Sequence, residues 1–213
     1  MSALYDFLHN VEKLKNELRH SYTSGNRRES VAEHCWRLSL MILVLSENIP
    51  VIDKAKCLKM AVIHDLPEVF EGDSYRLDLD KQDGIFDREK AALVKLLHLL
   101  QASSGTEIMS LWLEFEAEKT AEARFVKLID RLEVLIQHNE SDISTWTDIE
   151  KSIHYGLAAK HAERYGYLAD FAAEIDEETH QKLVKAGYLT QRVTQAEYEK
   201  YYGNIKTDTK MGN

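Results

Sequence analysis

The stretch "AEARFVKLIDRLEVLIQ" (residues 121–137) places Phe125, Val126, Leu128, Ile129, Leu132, Val134, Leu135 and Ile136 at spacings that return every three or four residues. That recurrence is the signature of an amphipathic helix, not of a strand. A carboxylate stands inside the stripe. Asp130 lies four positions after Val126 and four before Val134, on the apolar side. A carboxylate held away from water there is costly unless a cation, hydrogen bonds or a metal ion compensates it. A structural ion pair with Lys127 or Arg131 satisfies the requirement as simply as a metal does, so Asp130 needs company before it means chemistry.

Working outward, the same periodicity recurs along most of the chain. A first helix is expected over 2–19, with Leu4, Phe7, Leu8, Val11, Leu14 and Leu18 on one side, followed by a looser "HSYTSGNRR". Ser30-Val31-Ala32-Glu33 is a capping box that starts a second helix, which runs to about 48–50. Asp53 caps a third, whose apolar positions lead into "AVIHDLPEV" (residues 61–69). Pro67 has no N–H and presses on the carbonyl of Ile63, so the chain is expected to bend or break in the turn holding His64 and Asp65. The acidic, turn-rich segment 71–87 reads as a functional loop or lid. Further helices are expected at about 88–102, 105–118, 120–139, 147–163, 166–174 and 177–186, with a frayed tail over 204–213. No strand pattern stands out. The fold expected is all-α, one domain over 1–203 with about eight to ten helices.

Composition agrees with that reading and excludes several functions. At 213 residues, 44% hydrophobic and with only 2 Pro and 9 Gly, the chain suits a helical globular domain without a linker. The net charge of −9 and the lack of a basic stripe argue against a nucleic-acid polymer as partner. A small phosphate ester remains open, because a few local cations can override the global charge. Cys35 and Cys57 form no disulfide or zinc-finger spacing and read as reduced thiols of a cytoplasmic protein. The longest apolar run, "LMILVL", is far too short to span a membrane, and the first twenty residues lack the apolar core of a signal peptide.

His34 shares the buried side of its helix with Val31 and Leu38, where a single histidine is most simply a core residue bonded to a carbonyl. The His64-Asp65 dipeptide alone is close to chance. Glu68 and Asp73 follow it, and a solvated helix end and turn chemistry explain them equally well. Together, however, two histidines and two aspartates drawn from three helices make a hard mixed N/O donor set, suited to Mn, Fe, Co, Ni or Zn in the divalent state.

These pieces, "RRESVAEH" (27–34), "HDLPEVFEGD" (64–73) and "TAEARFVKLIDRLEVLIQ" (120–137), resemble the HD-domain metal-dependent phosphohydrolases, whose signature is H…HD…D. The chain is most similar to the branch containing the HD-domain 5′-deoxynucleotidases. The resemblance covers about residues 15–140. It implies His34, His64, Asp65 and Asp130 as ligands of one divalent ion, Glu68 at a catalytic position and Asp73 at one that helps hold substrate. Arg19 matches an arginine of the substrate pocket. His20 departs from the family pattern, where a tryptophan thought to favour deoxyribose commonly stands. Arg27 and Lys127 are further candidates for neutralising phosphate oxygens, although a surface role explains each as well. The implied activity is release of phosphate from nucleoside 5′-monophosphates by metal-activated water, and relatives tend to form homodimers. Another phosphate ester as substrate, or a regulatory protein that binds metal without turnover, are the alternative readings.

Overall fold

The structure is a computed structural model that describes residues 2–49 and 51–203; the tail expected over 204–213 lies outside them. Along the described chain run α1 (Ala3–Val11), β1 (Leu18–Tyr22), β2 (Arg28–Ser30), α2 (Val31–Leu45), α3 (Lys54–Ile63), α4 (Glu68–Glu71), α5 (Leu79–Gln82), α6 (Ile85–Leu97), α7 (Ala102–Ala117), α8 (Ala121–Glu140), α9 (Asp148–Ile153), α10 (Leu157–Tyr165), α11 (Ala169–Lys185) and α12 (Gln195–Tyr202). Short 3-10 turns join several of them. The fold is helical, as the periodicity requires, and α4 and α5 are single turns.

α8 is the axis. Its 20 residues bury Phe125, Val126, Leu128, Ile129, Leu132 and Leu135, and it packs against α2, α3, α7, α10 and α11. Three apolar clusters result. One joins α8 to α10, α11 and α12 through Leu132, Leu157, Ile175 and Tyr198. A second joins α8 to α2 and α3 through Leu38, Ile42, Met60 and Ile129. The third lies beneath α4, α6 and α7, around Leu66, Leu93, Leu96 and Trp112.

The N-terminal region differs from expectation. Instead of one helix over 2–19, α1 ends at Val11 and residues 18–22 form β1, paired antiparallel with β2 in the register Leu18 with Ser30 and Tyr22 with Arg28. The turn between them bonds Thr23 N–H to Arg27 O (2.8 Å) and carries Asn26 at φ 57°, a conformation asparagine tolerates. Gln137 Nε2 of α8 donates to Tyr22 O (2.8 Å), so the hairpin is fastened to the axis and presents Arg19 and His20 to the interior. The expected helix over 147–163 is likewise divided. Gly156, at φ +87°, turns the chain between α9 and α10, and a Cβ there would meet Arg192 at 3.3 Å. Asp176 of α11 then accepts from the N–H groups of Gly156, Ala158 and Ala159, capping α10 from a neighbouring helix. The helices expected at 166–174 and 177–186 are one, α11, since nothing between them interrupts it. The segment 71–87 contains α5 and the start of α6 rather than loop throughout.

Candidate metal and phosphate site

α2 begins with its capping box closed in both directions: Ser30 Oγ accepts from Glu33 N–H, and Glu33 accepts from Ser30 N–H. One turn later His34 points into the molecule, fully buried. α3 ends at Ile63, and residues 64–67 form tight turns in which Leu66 N–H bonds Ile63 O and Glu68 N–H bonds Asp65 O. Pro67 therefore marks the break that its chemistry predicts, and α4 restarts at Glu68. The turn brings both halves of the pair to the same place: His64 Nε2 is 3.1 Å from Asp65 Oδ1. Asp130 arrives from α8, its Oδ1 3.2 Å from His34 Nε2, while Asp65 Oδ2 lies 3.9 Å from that nitrogen. His34, His64 and Asp130 offer ligand atoms that all lie within 4.8 Å of one another.

Two features show what the cluster is suited to hold. His34 Nδ1 donates to Glu133 Oε2 (2.5 Å) and His64 Nδ1 donates to Ala61 O (2.9 Å), because a carboxylate and a carbonyl can only accept. In each neutral ring this leaves Nε2 as a lone pair aimed at the cluster. Both Nε2 atoms are buried with no hydrogen-bond partner. Buried acceptors without donors require a cation or a proton, and the fixed outer nitrogens are the usual support of a metal-ligating imidazole. The donor set thus fits a divalent ion. Burial and Arg19 oppose a second proton on His34, but Glu133 and Asp130 outweigh them and raise its pKa to about 10. Against burial, His64, His34 and Arg19 hold Asp65 down at about 2. The same negative potential attracts protons or a metal cation, which compete for the imidazole nitrogens.

Around this cluster the structure places the other sequence candidates unequally. Arg19, largely but not fully buried on β1, lies 3.7 Å from Asp65, 3.7 Å from Asp73 and 3.6 Å from Glu29. Asp73 is fixed where Gly72 turns at φ +76°, its N–H donating to Glu17 Oε1 (3.1 Å); a Cβ on Gly72 would press on that same carboxylate at 3.2 Å. Glu68 faces the cavity with Oε2 buried and unpartnered, and burial, then Asp65 and Asp73, raise its pKa well above the ordinary range. Lys127 reaches the cavity wall, bonded to Glu116 (2.9 Å) over the ring of Phe115. Arg27 goes elsewhere. Its side chain is 60% exposed on the surface and ion-paired with the capping-box Glu33, and it is not among the residues lining the cavity.

Several site residues have no counterpart in the sequence reading. Glu133, buried on α8, holds His34 and is itself held by Arg37 Nε (2.7 Å). Its signal was present: like Asp130, it is an acid within the apolar stripe of 121–137. On another wall, Glu150 of α9 accepts from Tyr75 Oη (2.8 Å) and lies 3.0 Å from His138 Nε2 and 3.2 Å from His20 Nε2. The His20 ring lies tilted by 32° against that of Tyr75, their centres 4.2 Å apart. Nothing local in the sequence links positions 20, 75, 138 and 150; only the packing of β1 and α9 on α8 does.

A helical fold with His34 on one helix, His64-Asp65 at a helix break and Asp130 on a third defines a class that comparison with known proteins identifies. A family model described as "HD domain" matches residues 11–168. The chain belongs to the HD domain family. It is 32% identical over 140 residues to the human (Homo sapiens) 5′-deoxynucleotidase HDDC2, covering 65% of this chain and 68% of that protein. It is 30% identical to the 5′-deoxynucleotidase hdd1 of Schizosaccharomyces pombe, covering 81% and 90%. Among solved structures it is similar to a predicted metal-dependent phosphohydrolase from Magnetospirillum magnetotacticum, at a TM-score of 0.74 and 28% identity, covering 89% of this chain and 95% of that one.

Proposed function

We propose that this chain is a metal-dependent phosphohydrolase that releases phosphate from nucleoside 5′-monophosphates. The observation that carries the reading is the pair of buried, unpartnered Nε2 atoms of His34 and His64 facing Asp65 and Asp130. These four residues would hold one divalent ion. When bound, such an ion polarises a phosphoryl oxygen and lowers the pKa of a water molecule toward neutrality. The chain supplies the rest. Glu133 and the carbonyl of Ala61 fix the two imidazoles, Glu68 orients the attacking water and accepts its proton, and Asp73 and Arg19, paired with each other, line the cavity beside them. The water oxygen bonds to phosphorus as the P–O ester bond breaks, the proton taken by Glu68 passes to the departing oxygen so that the nucleoside leaves as its alcohol, and inorganic phosphate remains.

The nucleotide substrate rests on the relatives' names and on a cavity that joins the metal cluster to the aromatic and polar wall of His20, Tyr75, Glu150 and His138. Residues 2–203 are read as one domain, supported by the participation of α8 in both of the larger apolar clusters. A homodimer is also part of the reading. The segment "YGYLADF" contributes to the core, through Tyr165, Tyr167, Leu168 and Phe171. Trp36, Leu40, Leu43 and Val44 of α2 are exposed and offer the apolar face instead. No helix among the described residues is long and apolar enough to cross a membrane; a cytoplasmic location is supported by free Cys35 and Cys57.

Metal-stripped protein, reconstituted ion by ion and offered matched ribo- and deoxyribonucleoside 5′-monophosphates, tests the proposal by phosphate release. Activity restored by at least one of Mn, Fe, Co, Ni or Zn is the expected result. Absence of release with every ion and every nucleotide, from protein that still binds metal, would favour the regulatory alternative.

A further inference from the structure

Two arginines on the cavity wall have no part in the scheme above. Arg76, between α4 and α5, and Arg131, on α8, both line the cavity, and Nε of each is buried without a hydrogen-bond partner. Arg76 donates from Nη1 to Gln82 Oε1 (3.2 Å). Of the other partly buried arginines, Arg19 pairs with Asp65, Asp73 and Glu29, Arg37 with Glu133 and Glu140, and Arg164 with Glu118, while Arg124, which does not line the cavity, donates to Arg164 O (3.0 Å). Among the described residues no carboxylate comes within ion-pair distance of Arg76 or Arg131. Burial opposes the charge of Arg131, but Asp130, then Tyr165, Tyr202 and Glu118, outweigh it and raise its pKa above the ordinary arginine value; none of them bonds the guanidinium, and Asp130, its neighbour in the chain, is committed to His34.

What the two cations share is Tyr202 of α12, whose ring centre is 6.0 Å from the Arg76 guanidinium carbon and 5.3 Å from that of Arg131. They also oppose one another: burial, then Arg131, lowers the pKa of Arg76. The nearby His161 is held neutral by burial and by Arg131, Arg164 and Arg76 together, so it adds no third charge. These two partly buried cations repel one another and neither has a bonded carboxylate, so bringing them together is unfavourable by itself. It becomes favourable when an anion sits between them. The planar guanidinium fork matches the oxygens of a phosphoryl group two at a time.

We propose that Arg76 and Arg131, braced on Tyr202, form a clamp for a phosphoryl group of the ligand that enters the cavity. The proposal rests on the reading of this cavity as a phosphate-ester site. It shifts the charge that meets the ligand away from Arg19, whose guanidinium is already answered by three carboxylates. The phosphoryl group has two possible sources: the ester's own phosphate, or a further phosphate of a longer nucleotide.

The test is binding to metal-free protein, where no turnover intervenes. Calorimetric titration with inorganic phosphate is expected to show about tenfold or greater weakening in Arg76→Gln and in Arg131→Gln. The surface variant Arg27→Gln should stay within about twofold of wild type. Phosphate should raise the melting temperature of wild type and not of the clamp variants. Should either variant fail to fold, phenylglyoxal labelling of wild-type protein read by mass spectrometry answers the same question: phosphate is expected to protect Arg76 and Arg131 but not Arg27. Comparing a nucleoside monophosphate with its diphosphate distinguishes the sources. Equal losses in the variants assign the clamp to the ester phosphate, and losses confined to the diphosphate assign it to the further one. Wild-type phosphate affinity in both variants, or labelling indifferent to phosphate, would overturn the clamp. Phosphate binding without hydrolysis of any nucleotide would overturn the proposed function and leave the clamp standing.

Discussion

Replacing His64 by alanine is expected to lower phosphate release on the order of 10³-fold or more, because several kcal/mol of charge stabilisation depend on retaining the ion. The same substitution should bring bound metal well below one equivalent per chain. His64 is the ligand whose loss should be cleanest. Its ring is buried, its Nδ1 is tied to Ala61 O, and its Nε2 faces only the cluster, 3.1 Å from Asp65 Oδ1. Asp65→Ala should produce a comparable loss but also release Arg19, which lies 3.7 Å from that carboxylate, so its effect mixes two causes. Arg27→Ala is the matching control. That residue lies on the surface against Glu33, and its removal should leave the rate unchanged within about twofold. Metal content by atomic spectrometry and phosphate release on the same preparations check all three. Full metal content together with full activity in the His64 variant would contradict the account.

Trp112→Ala is expected to destabilise the fold by about 3–5 kcal/mol, the range for removing a large buried aromatic side chain. Trp112 of α7 is fully buried, stacks on Phe86 at 5.5 Å and packs in the cluster beneath α4, α6 and α7. It also reaches the site, since its Nε1 donates to His64 O (3.2 Å), at the break between α3 and α4. Truncation therefore leaves a cavity and an unpaired carbonyl on a metal-ligand residue. Denaturant unfolding measures the loss, which corresponds to roughly 6–20 °C in melting temperature for a chain of this size. Val62→Ala, at a residue of α3 that is 60% exposed, should change stability by less than about 0.5 kcal/mol. Similar values for the two variants would show that the core is not arranged as described.

The parts of this fold written in local periodicity were legible, and those created by tertiary contact were not. The stripe of 121–137, the capping box at Ser30 and the break at Pro67 are each encoded within a few residues, and the structure shows α8, the start of α2 and the α3–α4 turn there. β1 was misread because Leu14 and Leu18 extend the apolar series of α1, whereas "YTSGNR" after it holds the turn chemistry of a hairpin. α12 lies beyond the helices that periodicity predicts, although Thr194 and Glu197 form a capping box at its start. It delivers Tyr202 to the two arginines. At the site, residues out of place on apolar faces could be found by pattern, as His34 and Asp130 were, and Glu133 meets the same criterion. Arg76 and Arg131 could not be found that way. An arginine in an acidic loop and another after an aspartate look solvated until the chain folds them onto one cavity.

The central claim is that His34, His64, Asp65 and Asp130 hold one divalent ion. Crystals of the protein loaded with Mn²⁺ or Co²⁺, measured at the absorption edge of the metal, test it most directly through anomalous difference density. The account predicts a peak within coordination distance of the Nε2 atoms of His34 and His64 and of the carboxylates of Asp65 and Asp130. A peak lying instead among His20, His138 and Glu150, a separate donor cluster on the cavity wall, with none between His34 and His64, would contradict it.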